Sequence, residues 1–400
     1  MKIKIEKGLP SGVFNAPPSK SYAHRLLICS ALSGEECTVS GIAPSEDILA
    51  TLDSVKALGV AYAQSGDVVV FQKKGAPLGN EFKCRESGST LRFFIPIALS
   101  RGGVFVFKGT ERLISRGISV YEDICALCGI SVEYTKDSIR FEGKLRSGTY
   151  EVRGDISSQF ITGLLFALPM LDGDSVVKIT TELESRPYID ITLDCLSRFG
   201  IEIMERADNE FYIKGNQKYI SQDTIVEGDF SNSAFLDAFK ILGAPVSVNG
   251  LNYASKQGDK AYLELFEQIK KGYLEADISS CPDLAPVLFA LCAYCEGGYI
   301  TGTRRLKIKE SDRASAMAEE LSKLGIRVDV YENAVKINKG ELKAPCVPLS
   351  SHNDHRIAMA LSVLATAVGA EIDGAEAVSK SYPDFFEVLR AHSVKCEELK

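Results

Sequence analysis

The 400-residue chain has no apolar run long enough to cross a bilayer. The nearest candidates, residues 160–171 and 285–294, fall short of the ~20 residues a spanning helix needs. An excess of basic residues is also missing. Lys and Arg total 46 against 53 Asp and Glu, a formal net charge of −7, which argues against a broad nucleic-acid footprint but leaves room for a local basic cleft. The opening MKIKIEKGLPSGVF alternates apolar and polar residues like a strand and lacks the apolar core of a signal peptide. A zinc pattern is absent too. Only Cys125-Ala-Leu-Cys128 has CxxC spacing, and no second ligand pair follows, so no metal is expected. The 11 cysteines are odd in number. Cys29, Cys125, Cys195 and Cys292 fall within helical apolar patterns, so reduced thiols in a cytoplasm are expected rather than disulfides.

What is present is an ordinary globular composition, 45% apolar and 25% charged. The length exceeds what one hydrophobic core usually serves, so two domains are expected. Six segments open with a polar, Ser-rich turn and run straight into an apolar helix. Marked by Ser19, Ser87, Ser157, Ser231, Ser279 and Ser351, they are spaced by 68, 70, 74, 48 and 72 residues. In the third, Ile161, Leu164, Leu165 and Leu168 trace one helix face; in the sixth, Ile357, Ala360, Leu361 and Leu364 do the same. A second series of helices lies between them, several ending in Gly59, Gly129, Gly200 or Gly325 at a C′ position, followed by alternating strands. Each unit thus reads as strand, helix, strand, helix and paired strands. Six units make two three-unit domains in an α/β fold. The fourth is short, because Lys271-Gly-Tyr-Leu-Glu-Ala runs directly into the next DISS turn without a hairpin.

Ser is a good N-cap anywhere, so one such turn means little. Six in a repeat fold can aim helix N-termini in a common direction, and free N-termini bind anions. The helix starts also gather bases: Lys20 and Arg25, Arg92, Arg116, Arg186, Lys309 and Arg313, His355 and Arg356, and Lys380. In an acidic protein this recurrence points to a ligand with several negative charges, Arg matching carboxylate and phosphate geometry and Lys acting as a point charge. Acids accompany them, Asp283 in CPDLAP and Glu310 and Asp312 in KESDR. A carboxylate in a basic cleft can serve as a general base or a proton donor once neighbours tune it.

Together PPSKSYAHR, SGSTLRF, GDISSQF, SRPYIDITL, QGD at Gln257, PDLAP, KESDR, NDHRIAMA and KSYPDFF resemble the 5-enolpyruvylshikimate-3-phosphate synthases, over residues 10–390. The resemblance implies a two-domain enolpyruvyl transferase fold, an inside-out α/β barrel of six βαβαββ repeats, three per domain. Residues 1–14 and 229–400 would form one discontinuous domain and 15–228 the inserted one, with the active site in the cleft between them. The implied reaction joins phosphoenolpyruvate to shikimate 3-phosphate without metal or organic cofactor. Shikimate 3-phosphate would be held by Lys20, Ser21, Arg25, Ser157, Ser158, Gln159, Ser185, Tyr188, Asp283 and Lys309. Phosphoenolpyruvate would be held by Lys20, Gly88, Arg116, Gln159, Arg313, His355, Arg356 and Lys380. Asp283 would be the base for the 5-hydroxyl, Glu310 the acid at C3, and Lys20 a neutralising charge. Small anions would be the only partners, with no nucleic acid and no membrane, and a monomer would suffice.

Some positions depart from the family pattern. Glu86-Ser87-Gly88-Ser89 stands where many members have Asn-x-Gly-Thr, and Phe93 where Pro is frequent. Arg186 replaces a Lys of some members and Arg305 an Asn. An acid at Glu86 would alter affinity for phosphoenolpyruvate, while the missing fourth hairpin is expected to affect packing alone. Two other readings compete. A sibling transferase acts on UDP-N-acetylglucosamine, but commonly carries a reactive Cys ahead of the phosphoenolpyruvate Arg, and GTERLISRG has none. A non-catalytic anion-binding relative should have lost an acid or a base from the set, and Asp283, Glu310, Lys20, Arg313 and Lys380 are all present.

Overall fold

The computed structural model describes the chain apart from residues 74, 76–78, 208 and 400 and the side chain of residue 207. It divides into two compact units, Lys20–Val226 and the discontinuous Met1–Ser19 with Glu227–Lys400.

The contiguous unit carries three four-stranded sheets of one pattern, in which a parallel pair is extended by an antiparallel hairpin. In spatial order they are Thr224–Ile225, Cys37–Ser40, Val68–Phe71 and Tyr62–Ser65; then Glu81–Arg85, Gly103–Gly109, Ser138–Gly143 and Ser131–Tyr134; then Thr149–Val152, Ser175–Ile179, Glu210–Ile213 and Ile203–Ala207. A parallel pair needs a crossover, and helices Gly88–Arg101 and Ser158–Ala167 supply it in the second and third sheets. The discontinuous unit repeats the pattern twice. One sheet is Leu274–Asp277, Gly298–Thr301, Ala334–Ile337 and Val328–Val330; the other is Leu349–Ser350, Ala370–Asp373, Lys2–Ile5 and Cys396–Leu399. Its third sheet is only the parallel pair Val246–Asn249 and Gly12–Asn15. The hairpin expected to be missing from the fourth repeat is therefore missing among the described residues.

The two crossings exchange strands. Gly12–Asn15, which precedes helix Lys20–Ser33, pairs with the strand after helix Phe230–Ile241. Thr224–Ile225, which precedes Phe230–Ile241, pairs with the strand after Lys20–Ser33. Gly228 lies where the crossings touch: it bridges Pro18, and a Cβ on it would sit 2.4 Å from the Gly250 carbonyl oxygen.

In each unit the apolar helices are central and the strands are half-buried, alternating inward and outward along their length. The one-face pattern read for Ser158–Ala167 understates it, since Phe160, Thr162 and Phe166 are buried as well. Ala285–Ala293 is buried at every position. A helix that is apolar all round belongs inside, and each large aliphatic or aromatic side chain so buried stabilises by about 1.5–3 kcal/mol. Helices Phe230–Ile241, Ala285–Tyr294 and His355–Val368 pack against one another at the centre of their unit. The second-series helices end as expected, with Gly59, Gly129, Gly200 and Gly325 all at positive φ.

The Ser markers prove less uniform than their spacing. Ser87 and Ser157 do cap, accepting from the amides of Thr90 and Gln159. In the fourth and sixth repeats the cap is Asp229 and Asp354 instead, with Ser231 inside its helix. In the fifth, a short turn at Pro282–Leu284 leads into the helix with no side-chain cap, Pro286 occupying the first turn.

Candidate active site

The discontinuous unit concentrates charge at the starts of its helices. Asp283 lies in the turn before Ala285–Tyr294, Lys309 and Glu310 in the bend before Arg313–Lys323, and Arg356 in the first turn of His355–Val368. Three cations converge on the Asp283 carboxylate. Arg313 Nη1 and Lys309 Nζ donate to Oδ1 at 2.9 and 3.2 Å, and Arg356 Nη2 donates to Oδ2 at 2.9 Å. Arg313 is fully buried and meets two further carboxylates, Glu310 Oε2 through Nη2 at 2.7 Å and Asp354 Oδ2 through Nε at 2.8 Å. Asp354, itself fully buried, also accepts from Ser311 Oγ and from the Arg356 amide, so one side chain caps a helix and aims a guanidinium. Arg356 Nη1 donates to Ser231 Oγ. Lys380 Nζ donates to the Asn353 carbonyl at 2.6 Å. His355 is buried, its Nδ1 3.9 Å from Asp354.

Burial alone would push the Asp283 carboxyl up, but the charges of Arg356, Lys309 and Arg313 outweigh it and hold the group well below its ordinary range. Lys309 is moved down, first by burial, with Asp283 opposing. Arg313 is pushed up although burial opposes this, because Asp354, Glu310 and Asp283 favour its charge.

In the contiguous unit, Lys20 opens its helix and pairs with Asp47 at 2.8 Å. Arg25 spreads its fork over neutral oxygens: Thr192 Oγ1 at 2.8 Å and the carbonyls of Ser21 and Tyr188 at 2.8 and 2.9 Å. Ser185 holds the turn before the Tyr188 helix at φ +57°, and its carbonyl accepts from the Tyr188 amide. Gln159 bridges two helix starts, accepting from Arg92 Nη1 at 2.7 Å and donating to Ser89 Oγ at 3.0 Å. Ser157 caps that helix and Ser158 is buried in its first turn. Gly88 faces the Arg116 guanidinium so closely that a Cβ would stand 3.1 Å from both terminal nitrogens.

A chain of hydroxyls links these starts inside the core. His24 Nδ1 meets Thr51 Oγ1 at 2.7 Å, Thr51 meets Thr90 at 2.9 Å, and Thr90 donates to Ser87 at 2.8 Å. His24 is held well below its usual value, chiefly by burial and then by the charges of Lys20 and Arg25.

The family model for EPSP synthase (3-phosphoshikimate 1-carboxyvinyltransferase) matches residues 5–389. The chain belongs to the EPSP synthase family. Two relatives named 3-phosphoshikimate 1-carboxyvinyltransferase support the assignment. That of Clostridium novyi is 42% identical, over 96% of each chain. That of Clostridium kluyveri is 41% identical, over 99% of this chain and 98% of the relative. An EPSP synthase structure from Acinetobacter baumannii superimposes with a TM-score of 0.78 at 22% identity, covering 99% of this chain and all of that one. The enolpyruvyl transferase NikO from Streptomyces tendae shares the fold at a TM-score of 0.76 and 16% identity. Among the described residues no helix is long and apolar enough to span a membrane.

Against this family pattern, the structure brings Asp283, Lys309, Glu310, Arg313 and Arg356 into one ion-paired cluster. It sets Gly88 against Arg116, places Gln159 with Ser89 and Arg92, and joins Arg25 to Ser21 and Tyr188. Sequence reasoning missed the partners that hold these groups: Asp47, Thr192, Ser231 and above all Asp354. The signal for Asp354 was available, since Asp directly before a helical apolar run is a strong N-cap candidate. Nothing local marks Asp47 or Thr192, which lie 27 and 167 residues from the cations they hold.

Proposed function

We propose that the chain transfers the enolpyruvyl group of phosphoenolpyruvate to the 5-hydroxyl of shikimate 3-phosphate, releasing phosphate. The family match over nearly the whole chain supports this, and so does one observation above the rest: a partly buried Asp with three cations around it, beside a second carboxylate on the same Arg. The 5-oxygen bonds to C2 of phosphoenolpyruvate, losing its proton, while C3 gains one. The C2–O bond to phosphate then breaks, C3 gives up a proton, and the vinyl group is restored on the acceptor.

In this reading Asp283 takes the hydroxyl proton and Glu310 serves C3. With three cations on it Asp283 is a weak base. Substrate carboxylate and phosphate arriving at Arg313, Arg356 and Lys309 share those charges, so its proton affinity rises as the anions bind. Lys20, Arg116 and Lys380 supply fixed positive charge where negative charge develops. Arg25, Ser21, Ser157, Ser158, Ser185, Tyr188 and Gln159 orient the acceptor. The same proposal takes the active species to be a monomer in the cytoplasm.

The test is phosphate release by purified protein with both substrates, with each alone, and with UDP-N-acetylglucosamine as acceptor. Release with the shikimate pair alone is expected. Release with the sugar nucleotide alone would move the chain to the sibling chemistry, and release with neither acceptor would leave an anion-binding protein.

A further inference from the structure

Two consecutive non-glycine residues, His352 and Asn353, hold φ of +50° and +55°, the left-handed region that L side chains seldom occupy. They sit immediately before Asp354. What they position is specific. The Asn353 carbonyl accepts from Lys380, and Asp354 holds Arg313 and caps the helix bearing Arg356. A loop in that conformation persists only where its surroundings over-determine it.

Here the surroundings come from one side chain and two hydroxyls. Glu320, fully buried on helix Arg313–Lys323, receives three groups: His352 Nε2 at 2.7 Å, the Ser350 amide at 2.9 Å, and Lys323 Nζ at 2.8 and 2.9 Å. Ser350 Oγ accepts from the His352 amide and Ser351 Oγ from the Asn353 amide, both at 3.1 Å. Ser351 is tied to the next strand by its amide to the Asp373 carbonyl and its hydroxyl to the Gly374 carbonyl. Gly374 is closed around that hydroxyl, and a Cβ there would lie 2.5 Å from it. Glu320, His352 and Glu319 also form the one group in the described residues with metal-ligand spacing. The Lys323 ammonium on both Glu320 oxygens fills that role without an ion.

We propose that Glu320 is a positioning residue for the phosphoenolpyruvate side of the reaction, acting by clamping His352 so that the 352–353 turn presents the Asn353 carbonyl to Lys380 and Asp354 to Arg313. This rests on the reading given under Proposed function. Glu320 and His352 lie outside the substrate-holding set named there. A helix that carries Arg313 at its first residue thereby also fixes, two turns later, the loop that holds Arg313 from the other side.

The experiment compares steady-state kinetics of wild type, Glu320→Gln, and Glu320→Gln combined with His352→Gly and Asn353→Gly. Glycine takes positive φ without needing a clamp. Glu320→Gln keeps shape and an acceptor but loses the charged two-oxygen grip. It is expected to raise KM for phosphoenolpyruvate about tenfold, the loss of about 1.4 kcal/mol of binding, with KM for shikimate 3-phosphate unchanged. The glycine pair should recover much of that loss, though it removes the His352 contact altogether. A parallel rise in both KM values, tracking a fall in melting temperature and unrelieved by glycine, would make Glu320 merely structural. An unchanged KM for phosphoenolpyruvate would also overturn the proposal. Inactive wild type would instead sink the functional reading, and Lys380 and Arg313 could then be followed by phosphate-ion binding in the same variants, where loss in Glu320→Gln and recovery with glycine still supports the clamp and no loss refutes it.

Discussion

Arg25 and Arg313 are both buried guanidinium groups, one in each unit, and their surroundings move them in opposite directions. Arg313 lies among Asp354, Glu310 and Asp283, which hold its proton more firmly than in water. Arg25 is held by a threonine hydroxyl and two carbonyls, and burial brings it down to about 10. Arg313 is therefore neutralised by carboxylates of its own unit. Arg25 stays a desolvated cation on neutral oxygens, an arrangement that costs stability. The difference teaches that equal burial of two guanidinium groups moves them in opposite directions according to whether carboxylates or neutral oxygens receive them.

The largest expected effect breaks the internally neutralised side. Arg313→Met removes the shared partner of three carboxylates, one of them fully buried, and should cost about 3–5 kcal/mol in urea unfolding. A loss below about 1 kcal/mol would mean the cluster relaxes and the contrast is illusory. Asp283→Asn keeps an acceptor for the surrounding cations. Its folded state should survive, while turnover with both substrates falls about 10²–10⁴-fold; undiminished kcat would remove it as the base.

On the other side, Arg25→Lys keeps the charge but not the fork. A stability loss of only about 1–2 kcal/mol is expected, with KM for shikimate 3-phosphate raised about tenfold. Equal damage to stability in Arg25→Lys and Arg313→Met would erase the distinction. The smallest effect is with pH. His24 stays neutral in the fold, whereas its unfolded form gains a proton below about pH 6.5. Stability of Lys20–Val226 should thus be level above that pH and fall below it by at most about 1.4 kcal/mol per unit. Asp283 is depressed, so its contribution is present above about pH 4, the unfolded value, and is lost only in stronger acid as pH falls through the folded value. Hydrogen exchange at pH 5 and pH 7 should therefore show helix Lys20–Ser33, around His24, loosening as pH falls; unchanged protection there would count against it.

Much of this was legible because repeats carry their own punctuation. Ser-rich turns, C′ glycines and alternating strands recur at near-constant spacing, and the absent fourth hairpin shows as a shortened step. The cations and acids at helix starts were legible for the same reason. Their partners were not. Whether Arg25 faces a threonine hydroxyl or a carboxylate depends on how helix Arg186–Arg198 packs on helix Lys20–Ser33, a contact between residues far apart in sequence. His and Asn enter the left-handed region more readily than most residues, but nothing local shows that Glu320, on helix Arg313–Lys323, is what grips His352. The six turns look alike in composition, yet they are capped by Ser in two repeats and by Asp in two, because the first buried amide takes whichever oxygen the loop brings within reach.

Strand Lys2–Ile5 lies in the middle of its sheet, paired on one side with Ala370–Asp373 and on the other with Cys396–Leu399. In chain order those residues precede the inserted unit, and both partners follow it. The inserted unit, by contrast, is complete once Thr224–Ile225 has emerged to pair with Cys37–Ser40. Synthesis from N- to C-terminus therefore sets an order of assembly in which the inner unit can mature while Lys2–Ile5 still waits for the strands that flank it.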